Sequence, residues 1–232
     1  MYQETKELAY LIGVYLGDGS TTIKLDKKKG NTYRFQLGSV DLEFVDKVEE
    51  YLKTLGLHST RNTYKNSNRN PKWNDMYFLT VSSKDFVFYL REQTENKVKI
   101  PKWIYKSEEN EINFVNGVLD SEGFMTKSKV PYGSGFRYQV GVCVTAEWIY
   151  DVIPILKKYG VSVCNECKRI LPSGKTSRLF QFNIISFSKS PFKFCIKRKL
   201  VRLEEYLKNL IVRDSEYYSK LGMKGAKARW SR

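Results

Sequence analysis

The segment Leu11-Ile12-Gly13-Val14-Tyr15-Leu16-Gly17-Asp18-Gly19 is an apolar helical run that ends on an acid-glycine pair. The pattern returns in Val115-Asn116-Gly117-Val118-Leu119-Asp120-Ser121-Glu122-Gly123. In each, small residues stand at i and i+4 (Gly13 with Gly17, Gly117 with Ser121), so they share one helical face. Without bulk on that face, two such helices can approach almost backbone to backbone, a geometry familiar from membrane helix pairs. Each run ends on a carboxylate, Asp18 or Glu122, the wrong charge for the negative end of a helix dipole. If the helices pack side by side and parallel, two acids and two negative helix ends converge. Such a site calls for a cation, and hard oxygen ligands favour magnesium or calcium.

The rest of the chain repeats as well. Glu122 lies 104 residues after Asp18, and at that offset Glu43-Phe44-Val45 matches Glu147-Trp148-Ile149. Phe78 matches Phe182 and Ser82 matches Ser186 at the same spacing. One residue closer, Tyr33-Arg34-Phe35-Gln36-Leu37-Gly38 matches Phe136-Arg137-Tyr138-Gln139-Val140-Gly141. A long unit copied once is a duplicated domain, not a solenoid. The halves read as residues 1–96 and 108–212, joined by 97–107, where Ile100-Pro101 interrupts helix, and followed by a tail at 213–232.

Within one half the order is helix, strand, strand, helix, strand and a closing helix. Residues 5–17 form the first helix. Residues 33–39 alternate apolar and polar, as a half-buried antiparallel strand does, and so do their counterparts from 136. Residues 42–55 carry helical spacing, and Pro154 should kink the matching helix or delay its start. Strands are expected at 76–82 and 179–186, and an amphipathic helix at 200–211.

Composition adds the partner. Hydrophobic residues make up 41% of 232, enough for a core, while 40 basic against 25 acidic residues give a net charge of +15. That field selects polyanions or acidic surfaces. No apolar run is long enough to span a membrane, and Met1-Tyr2-Gln3-Glu4 has no signal-peptide pattern. The expected setting is soluble and intracellular, in the cytoplasm of a bacterium or archaeon or in an organelle. The 4 cysteines make no disulfide framework. Cys164 and Cys167 fall on a strand, where residues three apart face opposite ways, so reduced thiols are expected rather than zinc.

Basic clusters recur in both halves: Lys24, Lys27, Lys28, Lys29 and Arg34, then Arg61, Lys65, Arg69 and Lys72. The second half has Lys127, Lys129 and Arg137, then Lys168, Arg169, Lys175 and Arg178. They are interleaved with Gln36, Asn62, Asn66, Asn68, Gln139 and Gln181. Basic side chains grip phosphates, while Arg, Gln and Asn read base edges, so these clusters are the expected DNA-binding residues.

The two nine-residue segments resemble the signature of the LAGLIDADG homing endonucleases, and the likeness runs from residue 1 to about 212. The resemblance implies an α+β fold of two pseudo-symmetric αββαββα halves. Their antiparallel sheets would form a DNA-binding saddle, with the two signature helices at the seam. It implies a site-specific double-strand endonuclease that uses Mg2+, with Mn2+ or Ca2+ substituting in binding, and leaves short 3′ overhangs. A duplicated chain would act as a monomer on a long asymmetric duplex. By the same resemblance, Asp18, Glu122 and the carbonyls of Gly17 and Ser121 hold metal, while Gln36 and Gln139 support catalysis. Lys97 and Lys197 are the expected supporting lysines, with Lys99 and Lys199 as competitors. The departures are Leu16, where the archetype has an acid, and Glu122 in place of a second aspartate. Asp120 is a rival acid, but on a helix it points roughly 200° from Glu122. A maturase acting on group I intron RNA, or a DNA-binding regulator without catalysis, are the alternatives. The tail, with Lys220, Lys224, Lys227, Arg229 and Arg232, reads as a basic arm along the DNA backbone.

Overall fold

The computed structural model describes residues 2–26, 30–66, 70–71, 74–130 and 136–212. The first half runs α1 (Lys6–Leu16), β1 (Ser20–Lys24), β2 (Thr32–Ser39), α2 (Leu42–Thr54), β3 (Ser59–Tyr64), β4 (Met76–Ser82) and α3 (Lys84–Gln93). A 3-10 turn at Lys102–Lys106 leads into the second half. There follow α4 (Glu108–Glu122), β5 (Gly123–Lys129), β6 (Phe136–Val144), α5 (Ile149–Lys158), β7 (Val163–Ile170), β8 (Thr176–Phe182), α6 (Ile184–Lys189) and α7 (Lys197–Val212). Each half contains one four-stranded antiparallel sheet, ordered β1-β2-β4-β3 and β5-β6-β8-β7. The fold is α+β with two pseudo-repeated halves, as the duplication implies.

The α1–α4 seam follows from the small residues. A methyl at Gly13 would lie 2.3 Å from the Phe114 carbonyl oxygen, and one at Gly117 would lie 2.2 Å from that of Tyr10. One turn on, a methyl at Gly17 would meet Ser121 Oγ at 2.3 Å. The helices therefore run parallel with their backbones touching. Both are well started: the Leu8 N–H donates to Thr5 Oγ1 and the Asn110 N–H to Ser107 Oγ. Acidic Glu108, Glu109 and Glu111 suit the positive end of α4.

Period-two burial sets the sheets. Phe35, Leu37, Leu79 and Val81 are buried, leaving Arg34, Gln36, Phe78 and Thr80 on the opposite, more exposed face. In the second half Met125, Val140, Val142, Phe180 and Phe182 fill the matching core.

Three details differ from the sequence expectation. β8 ends at Phe182, not 186, because the Asn183 side chain accepts from the Ser186 N–H and starts α6. The helix holding Pro154 begins late, at Ile149, where the offset from Leu42 would start it at Ala146. The repeat in β4 and β8 is one residue shorter than read: Gly38 pairs with Phe78 and Gly141 with Gln181, so Phe78 corresponds to Gln181 and Leu79 to Phe182.

The seam gives a direct test. Replacing Gly13 or Gly117 with alanine should gain up to about 1 kcal/mol of helix propensity. Overpacking against a fixed backbone should cost about 1–3 kcal/mol or more, and should win. Urea unfolding of Gly13→Ala should show a net loss; a net gain would mean that the helices do not touch there.

Candidate active site

α1 ends at Leu16 and turns at Gly17, whose N–H donates to Gly13 O at 3.2 Å, so Asp18 stands just past the helix end. Glu122 is the last residue of α4. Its Cγ lies 2.9 Å from where a Gly17 Cβ would be, so the second acid rests against the end of the first helix. Neither helix has a basic residue in its last turn. Burial, reinforced by the Asp18 charge, pushes Glu122 up to about 7, while Lys97 and Lys199 oppose the rise. Partial burial also raises Asp18, whose outer edge stays open to solvent, with Lys199 and Lys97 again opposing.

The compensating charge comes from two lysines bound to the helix ends. Lys97 Nζ donates to Gly17 O at 2.8 Å. Lys199 Nζ donates to Leu119 O and Asp120 O, both at 2.9 Å. Ammonium groups are suited to these orphan carbonyls at the negative ends of the dipoles. Desolvation lowers both lysines, Lys199 to about 8. Lys97 lies at the end of three consecutive left-handed residues (φ 46°, 55° and 72° at Glu95, Asn96 and Lys97). Non-glycine residues adopt that conformation only under constraint. Lys99 instead pairs with Glu95 in solvent.

In the second half the choice of Lys197 is corrected. Its side chain is exposed and only its backbone N–H is bound, to Glu43 Oε1, whereas Lys199 is 2% exposed at the centre. Two residues on a helix differ by roughly 200°, so only one can face inward. Asp120 is sealed behind the seam, accepting from Tyr10 O–H and from the Cys195 N–H, both at 2.8 Å. That leaves Glu122 as the acid beside Asp18. Two carboxylates raised by burial, Glu122 also by the Asp18 charge, form a donor set that suits a hard divalent cation. Among the described residues no cluster of three or more His, Cys, Asp or Glu side chains forms a complete metal site, so further oxygens would have to come from carbonyls, water or a ligand. Gly17 O already accepts from Lys97 but keeps a second lone pair. The Ser121 hydroxyl is spent on Gly117 O and Val118 O.

The glutamines are not equivalent. Ser20, two residues past Asp18, pairs with Gln36, whereas Phe124, two past Glu122, pairs with Gly141. Gln139 pairs with Thr126, so the second sheet is slipped by two residues relative to the first. A two-residue slip keeps every side chain on its face but sets Gln139 about 7 Å farther along the strand from its acid. Gln139 is therefore an open-face residue of the sheet, not the positional partner of Gln36.

Register also sorts the basic residues. Lys24, Arg34 and Gln36 share the open face of the first sheet with Thr80 and Asn62. Arg137, Gln139 and Arg169 lie on that of the second with Gln181 and Asn165. Four of the expected DNA contacts are corrected, because they point to the helix side. Arg61 pairs with Asp46 and Glu49, Lys127 with Glu205, Lys168 with Glu166, and Arg178 with Glu147. Lys129 continues the Lys127 row at the strand end, opposite Phe136. Lys65 and Lys175 are exposed in the connections after β3 and β7. Lys27, Lys28, Lys29, Asn68, Arg69, Lys72 and the tail from 213 lie outside the described residues. Among the described residues no helix is long and apolar enough to cross a membrane.

Residues 5–93 match the family model of the LAGLIDADG-like domain. Several solved structures share the fold of the whole chain. The structure of I-DmoI in complex with DNA and Mn superposes with a TM-score of 0.53 at 17% identity, over 81% of this chain and 94% of that one. The LAGLIDADG homing endonuclease I-GzeII in complex with its DNA target gives 0.57 at 10% identity, over 93% and 95%. Full-length DUF199/WhiA from Thermatoga maritima gives 0.57 at 14% identity, over 98% and 68%. Residues 5–93 thus match a LAGLIDADG-like domain, and the chain has the two-domain fold of these structures. Two curated relatives are uncharacterized proteins of Methanocaldococcus jannaschii. MJ0398 is 32% identical over 124 residues, 53% of this chain and 41% of the relative. MJ0314 is 27% identical over 166 residues, 71% and 59%. This chain spans about half the length of those relatives.

The raised acid predicts a pH dependence. An unfolded glutamate titrates near 4.3, and Glu122 in the metal-free fold titrates at about 7. The native state holds the extra proton, so this contribution is full below the lower value and is lost as pH rises through the upper one. Between about pH 4.5 and 7.5 the unfolding free energy of the wild type should fall relative to that of Glu122→Gln by up to roughly 3 kcal/mol. Parallel urea curves across that range would refute the raised value.

Proposed function

We propose that this protein is a site-specific double-strand DNA endonuclease that works with a divalent metal, Mg2+ by preference. The observation that carries the reading is the pair Asp18 and Glu122. They converge at the ends of two backbone-packed helices, between two lysine-capped helix termini and beside two open polar sheet faces. A pure binding protein gains nothing from two crowded carboxylates at its seam. The DNA complexes of I-DmoI and I-GzeII, which share the fold, support duplex DNA as the partner.

In this reading the sheets of residues 1–96 and 108–212, joined by 97–107, lie along a long asymmetric duplex and the seam faces the scissile phosphates. A net charge of +15 draws the polyanion in. Lys24, Arg34, Arg137 and Arg169 grip phosphate or guanine, while Gln36, Gln139 and Gln181 read base edges. Asp18 and Glu122 would hold the metal with carbonyl help from Gly17 and Ser121. A bound divalent cation would polarise the phosphate, lower the pKa of the attacking water and stabilise the departing 3′ oxygen. Lys97 Nζ and Lys199 Nζ supply fixed positive charge against the charge that builds on phosphorus, and the Gln36 amide orients groups beside Asp18. Each acid serves one strand, and the product carries short 3′ overhangs.

Selecting cleaved molecules from a random duplex library with Mg2+ would reveal the target. On that target Asp18→Asn and Glu122→Gln should each reduce double-strand cleavage by at least about 100-fold. Affinity should stay within a few fold, because phosphate contacts away from the centre set it. Wild type that binds but never cuts would sink the nuclease reading in favour of a DNA-binding regulator. Acceleration of intron splicing without cutting would favour the maturase. Light scattering of the complex should give one chain per duplex; two chains would refute the monomer.

A further inference from the structure

We infer that the N-terminus of α2, in the first half, is the device that holds Lys199 of the second half at the centre. Asp41 and Glu43 would thereby be positioning residues for one of the two central lysines and not the other. The inference rests on the nuclease reading for its consequence, though not for its geometry.

Arg198 donates from Nε to Asp41 Oδ1 at 2.7 Å and from Nη2 to Oδ2 at 2.8 Å, a bidentate pair across the halves. Asp41 is the N-cap residue of α2, where an aspartate ordinarily bonds its own helix, yet it makes no such bond. Both its oxygens go to Arg198 instead. Two residues on, Glu43 Oε1 accepts the Lys197 N–H at 2.9 Å. Lys197 is the first residue of α7, so this N–H is one of its orphan donors, capped by a carboxylate from the other half. The first turn of α7 is gripped at residues 197 and 198, and Lys199 follows directly, pointing to the Leu119 and Asp120 carbonyls.

The grip is one-sided. The position matching Asp41 in the second half is Thr145, which has no carboxylate, and the match of Glu43, Glu147, binds Arg178 of its own half. Lys97 is fixed locally, by its N–H to Thr94 Oγ1 at 3.1 Å and by the left-handed turn. With 52% of the Arg198 side chain exposed, the pair adds little to folding, so its loss should be read in position and not in stability.

Two measurements test this. In the metal-free protein, acetylation by an activated ester followed by peptide mass spectrometry reports how protected each lysine is. Arg198→Ala should raise the Lys199 rate by about tenfold or more, through local opening of the first turn. Lys97 should be unchanged and Arg198→Lys should restore part of the protection. If Lys199 stays as protected as in the wild type, the holding role is wrong, whatever the protein does to DNA. On a selected target with the two strands labelled separately, Lys97→Met and Lys199→Met should slow different strands. Arg198→Ala and Asp41→Asn should slow the strand that Lys199→Met slows, by about 10–100-fold, with the other nearly unchanged. Equal slowing of both strands, or slowing of the Lys97 strand, would overturn the inference. Wild type that cuts no duplex would refute the nuclease reading alone, since the acetylation result stands by itself.

Discussion

The contact between the α1 and α4 backbones at Gly13, Gly17, Gly117 and Ser121 is the constraint from which the rest of the structure follows. Because no side chain separates the helices, their C-terminal ends lie together, and so do the residues that leave them. Asp18 and Glu122 cannot be moved apart without losing the core that Leu8, Leu11, Val14, Phe114, Val115 and Val118 complete. The charge problem of the site is thus created by packing. Hydrophobic burial holds together two carboxylates and two negative helix ends that would separate if they were free.

The structure answers that problem from within the fold. Lysines occupy the carbonyls where the helix dipoles are most negative, and their lowered pKa values show that burial works against them as it does against the acids. Neither ion pairs directly with the acids: Lys97 and Lys199 bond carbonyl oxygens, and both carboxylates stay raised. The centre keeps unsatisfied negative charge at the surface where the sheets open. Asp120 is treated in the opposite way. Its hydrogen bonds from Tyr10 and Cys195 tie α1, α4 and the approach to α7 together, so a motif acid has become part of the packing.

Much of this was legible in the sequence because it depends on periodicity. Small residues at i and i+4 gave the seam, alternation gave the open faces of β2 and β6, and the offset gave the duplication. What escaped depends on local geometry that periodicity does not encode. Lys197 and Lys199 lie two apart on one helix, and only the start of α7 decides which turns inward. Arg61, Lys127, Lys168 and Arg178 looked like DNA contacts because they are basic, yet strand parity sends them to carboxylates on the helix side. Lys127 could have been sorted from its alternation with Met125, which is buried. The two-residue slip of β6 against β5 leaves no trace in hydrophobic pattern, since it preserves every face.

That slip and the one-sided grip of Asp41 on Arg198 point the same way. A duplicated fold starts with two identical centres, and the seam keeps the backbone of both helices fixed. Divergence is then confined to what surrounds the seam: strand register, turn conformation and contacts between halves. In the first half Gln36 stands near its acid and the lysine is fixed by a strained local turn. In the second the phenyl ring of Phe124 and the bare backbone of Gly141 take that place, and the lysine is fixed from across the molecule. Two centres that share one seam but differ in their supports have no physical reason to act at equal rates. On the proposed reading, an asymmetric duplex that presents different bases and phosphates to each half is the ligand that matches this asymmetry.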